Sequence, residues 1–410
     1  MVASLTFHYT GRDASGKVVK GKIDAPGEAT VLSKLRTMGV APISVKQTKA
    51  GSGLNAEIKL GGLTEKRVKI KDLAVMSRQM STMISAGLPL LKTLTILADQ
   101  SENPKLRDTI DDVRATVEEG GTFSDGLMKH PQIFPPLFIN LVRAGEVGGF
   151  LESSLTSVAE NYEKEVELKA TIKSALTYPV VVLFMALLAV VGMILFIVPV
   201  FEDLFADLGG TLPLPTQILV TISENMVWIG PVVIVAGIVG AVYWRARRHT
   251  PEFRSVYEPL LLKMPVFGDL FKKVAIARFA RNFSTMVGSG VPILQALSII
   301  GSTSGNWSIE QALLKVQDSV RQGRSISAPL LQESVFPTMV TQMIAVGEDA
   351  GALEQMLDKI ADFYDAEVQT TTEALTSLIE PLMIAFLGVV LGGMIVALYL
   401  PIFDIFNQVQ

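Results

Sequence analysis

The spacing of apolar and polar residues predicts a small α+β unit at the start of the chain. Residues 4–46 alternate on both sides of a polar turn at 13–16, as in a β-hairpin, and a helical stretch and a further short strand follow. The polar, Gly-rich residues 48–66 are typical of a flexible linker. We therefore expect an N-terminal unit over residues 1–47, joined to the rest of the chain by this linker.

The remainder of the chain has helical spacing and predicts two bundles. Apolar residues recur every three or four positions from residue 71, and Gly and Asn-Pro interrupt the pattern where helices would end or begin. The same order of helices recurs in the second half. We expect two tandem homologous bundles of about six helices each, over residues 67–177 and 245–379. The predicted fold class is mainly α.

Three stretches without charged residues are long enough to cross a membrane. A spanning helix needs about 20 mostly apolar residues, and each stretch meets that length. The hydrophobic fraction of 49% agrees with a chain that is partly embedded in lipid. The predicted transmembrane helices cover residues 178–201, 225–244 and 380–403.

Charged residues beside these spans predict their orientation. Arg245, Arg247 and Arg248 follow the second span, whereas residues 202–224 contain acidic residues but no Lys or Arg. Since Lys and Arg concentrate on the cytoplasmic side, we expect both bundles and the N-terminus in the cytoplasm. The loop 202–224 and the tail 404–410 are then extracytoplasmic.

The two bundles carry a long internal repeat. Residues 134–165 and 336–367 share Phe-Pro, Gly-Glu, Leu-Glu and Tyr positions at a constant separation of 202 residues. This exceeds the roughly 20–50 residues of a solenoid unit and indicates that a whole bundle with its span was duplicated. Any function must therefore suit two similar, membrane-tethered domains.

A Gly-Glu turn near the end of each copy is the strongest local motif. It contains Gly145, Glu146 and Gly149 in the first copy and Gly347, Glu348 and Gly351 in the second. One interpretation is a helix–helix turn, in which Gly provides close packing or positive φ and Glu caps backbone donors. The other is a surface turn that a partner contacts, and both interpretations can hold together.

The last helix of each copy is predicted to lead into a span. It would reach the membrane at Tyr178 and Pro179 in the first copy and at Glu380 and Pro381 in the second. Proline at such a position suits the first turn of a helix or marks a kink.

The third predicted span contains a pattern of small residues. Gly388, Gly392 and Gly393 form a GxxxG motif that would let a second helix approach closely, within the chain or between protomers. No ionisable residue lies in the middle of any span, which weighs against a proton- or ion-coupled carrier.

The side-chain chemistry gives no sign of an enzyme. The chain has no Cys, and its three His residues lie in separate regions, so we expect no catalytic residues, no cofactor and no metal ligands. Residues 11–17 fit the pattern GxxxxGK, but Val18 stands where a P-loop requires Ser or Thr. Acidic residues such as Glu163, Glu165 and Glu167 are interpreted as solvated helix faces, with a cation held between subunits as an alternative. No nucleic acid is expected as a partner.

In combination these motifs resemble the PilC/GspF family. The duplicated helical domains, the repeated Gly-Glu turn and the proline-flanked spans carry the resemblance over essentially the whole chain. The positions concerned around the spans are residues 176–179, Pro199, residues 380–382 and Pro401. The N-terminal unit, with residues 13–16, 35–36 and 39–42, is also similar to the start of pilus-type members.

The resemblance implies a multi-pass platform protein of the bacterial inner membrane. Such a platform would couple a hexameric motor ATPase of assembly or retraction type to insertion or removal of pilins in type IV pilus assembly. Other inner-membrane assembly proteins would be partners, and the chain would form a homodimer or a higher homo-oligomer. The alternative within the family is a platform for pseudopilins in type II secretion or competence.

Two readings outside the family stay open from the residues alone. One is a transporter or channel subunit, suggested by duplicated membrane-linked halves but opposed by the odd number of spans and their lack of charge. The other is a membrane-anchored signalling scaffold, which a search for partners would identify.

Overall fold

The computed structural model describes residues 5–12, 18–25, 28–37, 41–47, 67–207, 212–248 and 250–408. The predicted turn at 13–16 and the predicted linker at 48–66 lie outside these residues. Contacts divide the chain into two units, Met1–Glu65 and Lys66–Gln410.

The N-terminal unit contains a three-stranded antiparallel sheet and one helix. Its elements are β1 (Leu5–Arg12), β2 (Val18–Ala25), α1 (Glu28–Thr37) and β3 (Ala41–Gln47). Strand β1 lies between the other two, and its register with β3 shifts between Thr10 and Gly11. Val31 and Leu35 of α1 pack with Ala25 of β2 in a small core.

The first copy of the repeat folds into six helices. They are α2 (Ile70–Ser85), α3 (Leu90–Gln100), α4 (Pro104–Glu118), α5 (Phe123–Met128), α6 (Pro136–Gly148) and α7 (Leu151–Gly192). Asn103 caps α4, because its side-chain oxygen accepts hydrogen bonds from the backbone N–H groups of Lys105 at 3.1 Å and Leu106 at 3.4 Å. These donors would otherwise be left unsatisfied at the helix start.

A connecting segment follows α7 and leads to the second copy. It contains a π-helical turn (Met193–Ile197), α8 (Val198–Asp207), α9 (Leu214–Arg247) and α10 (Pro251–Leu262). Helix α9 has 34 residues and is therefore longer than the span predicted within it.

The second copy also folds into six helices. They are α11 (Phe267–Gly288), α12 (Ile293–Thr303), α13 (Trp307–Arg321), α14 (Ser327–Leu330), α15 (Thr338–Asp349) and α16 (Leu353–Gln408). Asn306 caps α13 as Asn103 caps α4, accepting from Ser308 N at 2.9 Å and Ile309 N at 3.3 Å. The prediction of two tandem homologous bundles of about six helices is confirmed.

One hydrophobic core runs through both copies. The first helix of each copy packs against the last, which pairs α2 with α7 and α11 with α16. The tilted rings of Phe134 and Phe138 have centroids 5.2 Å apart in the first copy, and the edge-on rings of Phe279 and Phe336 have centroids 5.1 Å apart in the second. All four rings belong to a single buried cluster, so the two bundles share their core.

The last helix of each copy continues from its bundle into an apolar segment. Helix α16 is 56 residues long, and α7 is 42 residues long and passes through the π-helical turn into α8. Pro179 and Pro381 lie inside these helices. The first-turn interpretation of the prolines is therefore wrong. Each proline removes one backbone hydrogen bond, while the turns on both sides of it continue the helix.

Within the described residues, three helices are long and apolar enough to cross a membrane. They cover Leu151–Leu204, Trp228–Arg247 and Leu353–Pro401. The first and third of these helices pack against α9 near one end. There the Ser223 hydroxyl of α9 donates to the carbonyl of Ile194 at 2.7 Å. Val198, Val220 and Leu398 form a buried cluster beside this bond. The three apolar helices are therefore packed together at that end.

Candidate functional site

The glycines of the Gly-Glu turns have two different structural roles. A Cβ at Gly145 would lie 2.6 Å from the Cβ of Ser154, and one at Gly347 would lie 2.9 Å from the Cγ of Met356. Both distances are shorter than van der Waals contact, so these glycines permit the close approach of consecutive helices. Gly149 and Gly351 follow the helices with φ of 76° and 67°, a region that side chains disfavour.

Each turn glutamate caps the short helix that precedes it in the bundle. The Glu146 carboxylate accepts from the backbone N–H groups of Phe123 at 2.7 Å and Ser124 at 3.1 Å, at the start of α5. The Glu348 carboxylate accepts from Ile326 N at 2.7 Å and from Ser327 at the start of α14. A negative charge at a helix N-terminus satisfies free donors and matches the helix dipole.

The surface of these turns remains open to contact. Val147, next to Glu146, is 85% exposed, and Val346, next to Gly347, is 59% exposed. An accessible valine beside a fixed turn suits a contact with another protein. Contact with a partner at this position stays a prediction.

An Arg–carboxylate pair joins the first and last helices of each copy. Arg78 of α2 donates two hydrogen bonds to Glu163 of α7, at 2.7 and 2.6 Å. Arg281 of α11 donates to Asp365 of α16 in the same position of the second copy. The sequence suggested that Glu163 and Glu165 only form a solvated helix face. In the structure Glu163 pairs with Arg78, and Glu165 pairs with Lys169 at 2.9 Å.

A second polar contact repeats beside this pair. Ser81 and Thr156 hydroxyls lie 2.8 Å apart in the first copy, and the Ser284 hydroxyl donates to Asp358 at 2.5 Å in the second. Neither pair was predicted from the sequence. A signal was present, since residues 78–89 and 281–292 match at a separation of 203 residues, one more than the separation of the Gly-Glu turns.

The carboxyl groups of the two Arg–carboxylate pairs have pKa values that are shifted in opposite directions. The hydrogen bonds from Arg78 lower the pKa of Glu163 below its ordinary value. Burial raises the pKa of Asp365 above its ordinary value and outweighs the attraction of Arg281. Both side chains of the pair are more exposed in the first copy than in the second, which agrees with these directions.

Polar and apolar contacts also join the two copies to each other. The Asn161 side chain of α7 donates to Asn282 at 3.1 Å and Thr285 at 3.2 Å, both on α11. Nearer the apolar segments, Leu168, Leu270, Val368 and Leu375 form a buried cluster from both copies. The last helix of the first copy is thus fixed against the first and last helices of the second.

A polar groove of about 730 Å³ runs along this junction between α7, α11 and α16. It contains more acidic than basic side chains: Glu160, Glu163, Glu167, Glu354, Asp358 and Asp362 against Lys164, Arg281 and Lys359. In the part of the chain that the structure describes, no three acidic or His side chains converge as metal ligands would. A cation between subunits stays a prediction.

The residues predicted to mark the membrane boundary differ in their surroundings. Tyr178, Glu380 and Pro381 are exposed, whereas Pro179 is buried. A Cβ at Gly388, Gly392 or Gly393 would meet no atom within 4 Å among the described residues. No described segment of the chain therefore packs closely on the GxxxG motif, and its contact between protomers stays a prediction.

Comparison with known families agrees with this duplicated architecture. Residues 76–199 and 279–401 each match the family described as type II secretion system protein F, and residues 5–46 match the N-terminal domain of the same protein. The chain belongs to the type II secretion system protein F family. The two matched segments begin 203 residues apart and end 202 apart, as the repeated contacts do.

The relatives of this family member include proteins of two systems. The chain is 40% identical over 410 residues to the type IV pilus assembly protein PilC of Myxococcus xanthus, covering 100% of this chain and 97% of that one. It is 41% identical to PilC of Thermus thermophilus, covering 98% and 99%. It is 34% identical to the type II secretion system protein F of Pseudomonas aeruginosa, covering 98% of each.

Proposed function

We propose that this chain is the inner-membrane platform of a type IV pilus assembly machine. The observation that carries the proposal is the 40% identity to a pilus assembly protein across the whole chain, against 34% to a secretion protein F. The role is non-enzymatic and consists of coupling a cytoplasmic motor ATPase to the insertion or removal of pilins.

The continuous helices support a mechanical role. Helix α16 has 56 residues, which at 1.5 Å per residue gives a length of about 84 Å. It extends from the shared bundle core through the third apolar segment. A movement of the bundle is therefore passed directly to the part of the helix that lies among membrane-embedded subunits.

The charge distribution supports the orientation that this role requires. Arg245 and Arg247 lie at the end of α9, whereas Glu202, Asp203 and Glu224 flank the opposite ends of the spans. By the positive-inside rule both bundles face the cytoplasm, where a motor ATPase is located, and the C-terminus lies outside. The Gly388 to Gly393 surface then offers a site for a second copy or for a pilin helix.

Deletion of the gene in its own host tests the proposal. We expect surface filaments to be lost while pilin remains stable and membrane-inserted, and a plasmid copy of the gene to restore the filaments. A normal number of filaments in the deletion strain would contradict the platform role. The motor coupling is tested separately, by binding of the full chain in nanodiscs to the assembly ATPase and by the resulting change in ATP turnover.

A second candidate is the platform of a type II secretion system. It is favoured by the 34% identity to the Pseudomonas aeruginosa secretion protein over 98% of both chains. The same deletion strain distinguishes the two candidates. If the chain is a secretion platform, the strain would lose exported enzymes from the medium and keep its pili.

A further inference from the structure

Helix α10, which follows the second apolar helix, exposes a line of apolar side chains. Val256 is 69% exposed, Leu260 is 63% exposed, and Met264 follows in the same line just beyond the helix end. They are spaced four residues apart and therefore lie on one face. A contiguous exposed apolar surface marks a site of contact with a protein or a membrane.

This stripe continues the face by which α10 contacts the end of α9. Phe253 and Tyr257 of α10 pack edge-on against Trp244 of α9, at ring-centroid distances of 5.2 and 5.1 Å. On a helix of 3.6 residues per turn, Leu260 and Met264 lie on the same face as Phe253 and Tyr257, with Val256 at its edge. Trp and Tyr are the residues that proteins place at the membrane–water boundary.

The opposite face of α10 is fixed to the second bundle. Arg254 contacts Glu258 at 2.9 Å and Glu310 of α13 at 2.8 Å. The buried carboxylate of Glu258 also accepts from the backbone N–H of Trp307 at 2.5 Å. Because this side of α10 faces the bundle, the apolar stripe faces away from it.

A strained turn after α10 presents another apolar side chain. Val266 has φ 72° and ψ −52°, and Phe267 N donates to Pro265 O at 2.9 Å, which together define a γ-turn. Valine is branched at Cβ and strongly disfavours positive φ, and Val266 is nonetheless 56% exposed. Residues held in such conformations cluster at functional sites.

Basic side chains flank this apolar surface. Arg245 and Arg247 lie on the last turn of α9, and Lys263 lies at the end of α10 between Leu260 and Met264. All three side chains are exposed. An apolar face bordered by Lys and Arg is the pattern of a helix that lies in the interface of an anionic membrane.

From these observations we propose that α10 and the Val266 turn form a membrane-surface anchor for the second bundle. The stripe of Val256, Leu260 and Met264, together with Val266 of the following turn, would lie at the boundary between headgroups and acyl chains. A bilayer is favoured over a protein partner because the surface is continuous with the apolar helix α9. The anchor does not depend on the pilus role, since it requires only that α9 crosses a membrane.

Site-directed labelling of the full chain in lipid vesicles tests this anchor. The chain contains no native Cys, so Val256→Cys, Leu260→Cys and Val266→Cys each give one spin-label site. The proteins are reconstituted in vesicles of phosphatidylethanolamine and phosphatidylglycerol. For each label we measure the ratio of collisions with oxygen, which concentrates in lipid, to collisions with a water-soluble nickel complex. We expect this ratio to be several-fold higher than for a label in solution.

Two control sites calibrate the result. Val239→Cys, on the exposed surface of α9, reports lipid, and Leu314→Cys, on the exposed surface of α13, reports water. Labels on the stripe that behave like the Leu314 site would overturn the anchor, as would labels shielded from both reagents, which would indicate a protein partner. A lipid signal at Val239 with a water signal on the stripe would leave the proposed platform function intact and remove only the anchor.

Discussion

The two copies of the repeat hold their first and last helices together at the same positions but with different chemistry. Arg78 meets a glutamate that remains partly in water, whereas Arg281 meets Asp365, whose pKa is raised by burial. In the neighbouring contact, Ser81 meets the hydroxyl of Thr156. The second copy replaces that threonine by a carboxylate.

The difference follows from the position of the second copy at the junction. Arg281 and Ser284 lie on α11, the helix that also contacts α7 of the first copy through Asn282. The equivalent helix α2 packs mainly against α7 of its own copy. Duplication therefore kept the geometry inside each bundle, while one copy's first helix acquired a second interface.

The largest expected effect tests whether the close helix approach is equally tight in both copies. Gly145→Val and Gly347→Val should each lower the free energy of unfolding by about 1–3 kcal/mol, because the added atoms overlap Ser154 or Met356. The measurement is unfolding of the detergent-solubilised full chain. Similar losses are expected, since the two turns have the same geometry.

Gly301 provides a control for this pair of substitutions. It lies inside α12, and a Cβ there would meet Leu313 at an ordinary 3.9 Å. Gly301→Ala should leave stability unchanged or raise it by up to about 1 kcal/mol, because alanine favours a helix. A loss at Gly301 as large as at Gly145 would show that glycine replacement itself, rather than close approach, lowers stability.

The next effect tests whether the two turn glutamates are equivalent caps. Glu146→Gln and Glu348→Gln should each cost about 1 kcal/mol of stability, because a neutral amide oxygen replaces a carboxylate on two helix-start donors. Thermal unfolding of each variant measures the loss. A variant that keeps wild-type stability but lowers filament number would instead assign that turn to a partner contact.

The elements that could be predicted from sequence are those fixed by local rules. Apolar periodicity and the Asn-Pro cap at Asn103 predict the helices of each copy, and the Gly-Glu pair signals a tight turn. These signals depend on residues within a few positions of each other. They are therefore visible in a single sequence.

The contacts that sequence analysis missed depend on residues far apart in the chain. Arg78 and Glu163 are separated by 85 positions, and the sequence around one residue gives no signal that indicates the other. Comparison of the copies could have found them, since Arg78 aligns with Arg281 at a separation of 203 and Glu163 with Asp365 at 202. A search at one fixed separation loses the first helix of each copy.

The serines of the two copies should differ in their contribution. Ser284→Ala should cost about 1–2 kcal/mol, because it removes a hydrogen bond to the carboxylate of Asp358, while Ser81→Ala should cost about 0.5–1 kcal/mol. Both serines are buried, so the difference reports the acceptor rather than exposure. Equal losses in unfolding measurements would show that Asp358 adds nothing beyond what Thr156 provides.

The smallest expected effect is an opposite pH dependence of the two Arg–carboxylate pairs. The pKa of Glu163 is lowered, so its contribution to stability is present above its ordinary pKa of 4.5 and is lost as the pH falls through the folded value. The pKa of Asp365 is raised, so its contribution to stability is present below pH 3.8 and is lost as the pH rises through the folded value.

Between pH 3 and pH 7, Glu163→Gln should therefore become more destabilising as the pH rises, and Asp365→Asn should become less destabilising. We expect the change for Glu163→Gln to be about 0.5 kcal/mol, since both side chains of its pair are well exposed to solvent. Parallel slopes in unfolding measurements across this range would show that the second copy's pair is no drier than the first.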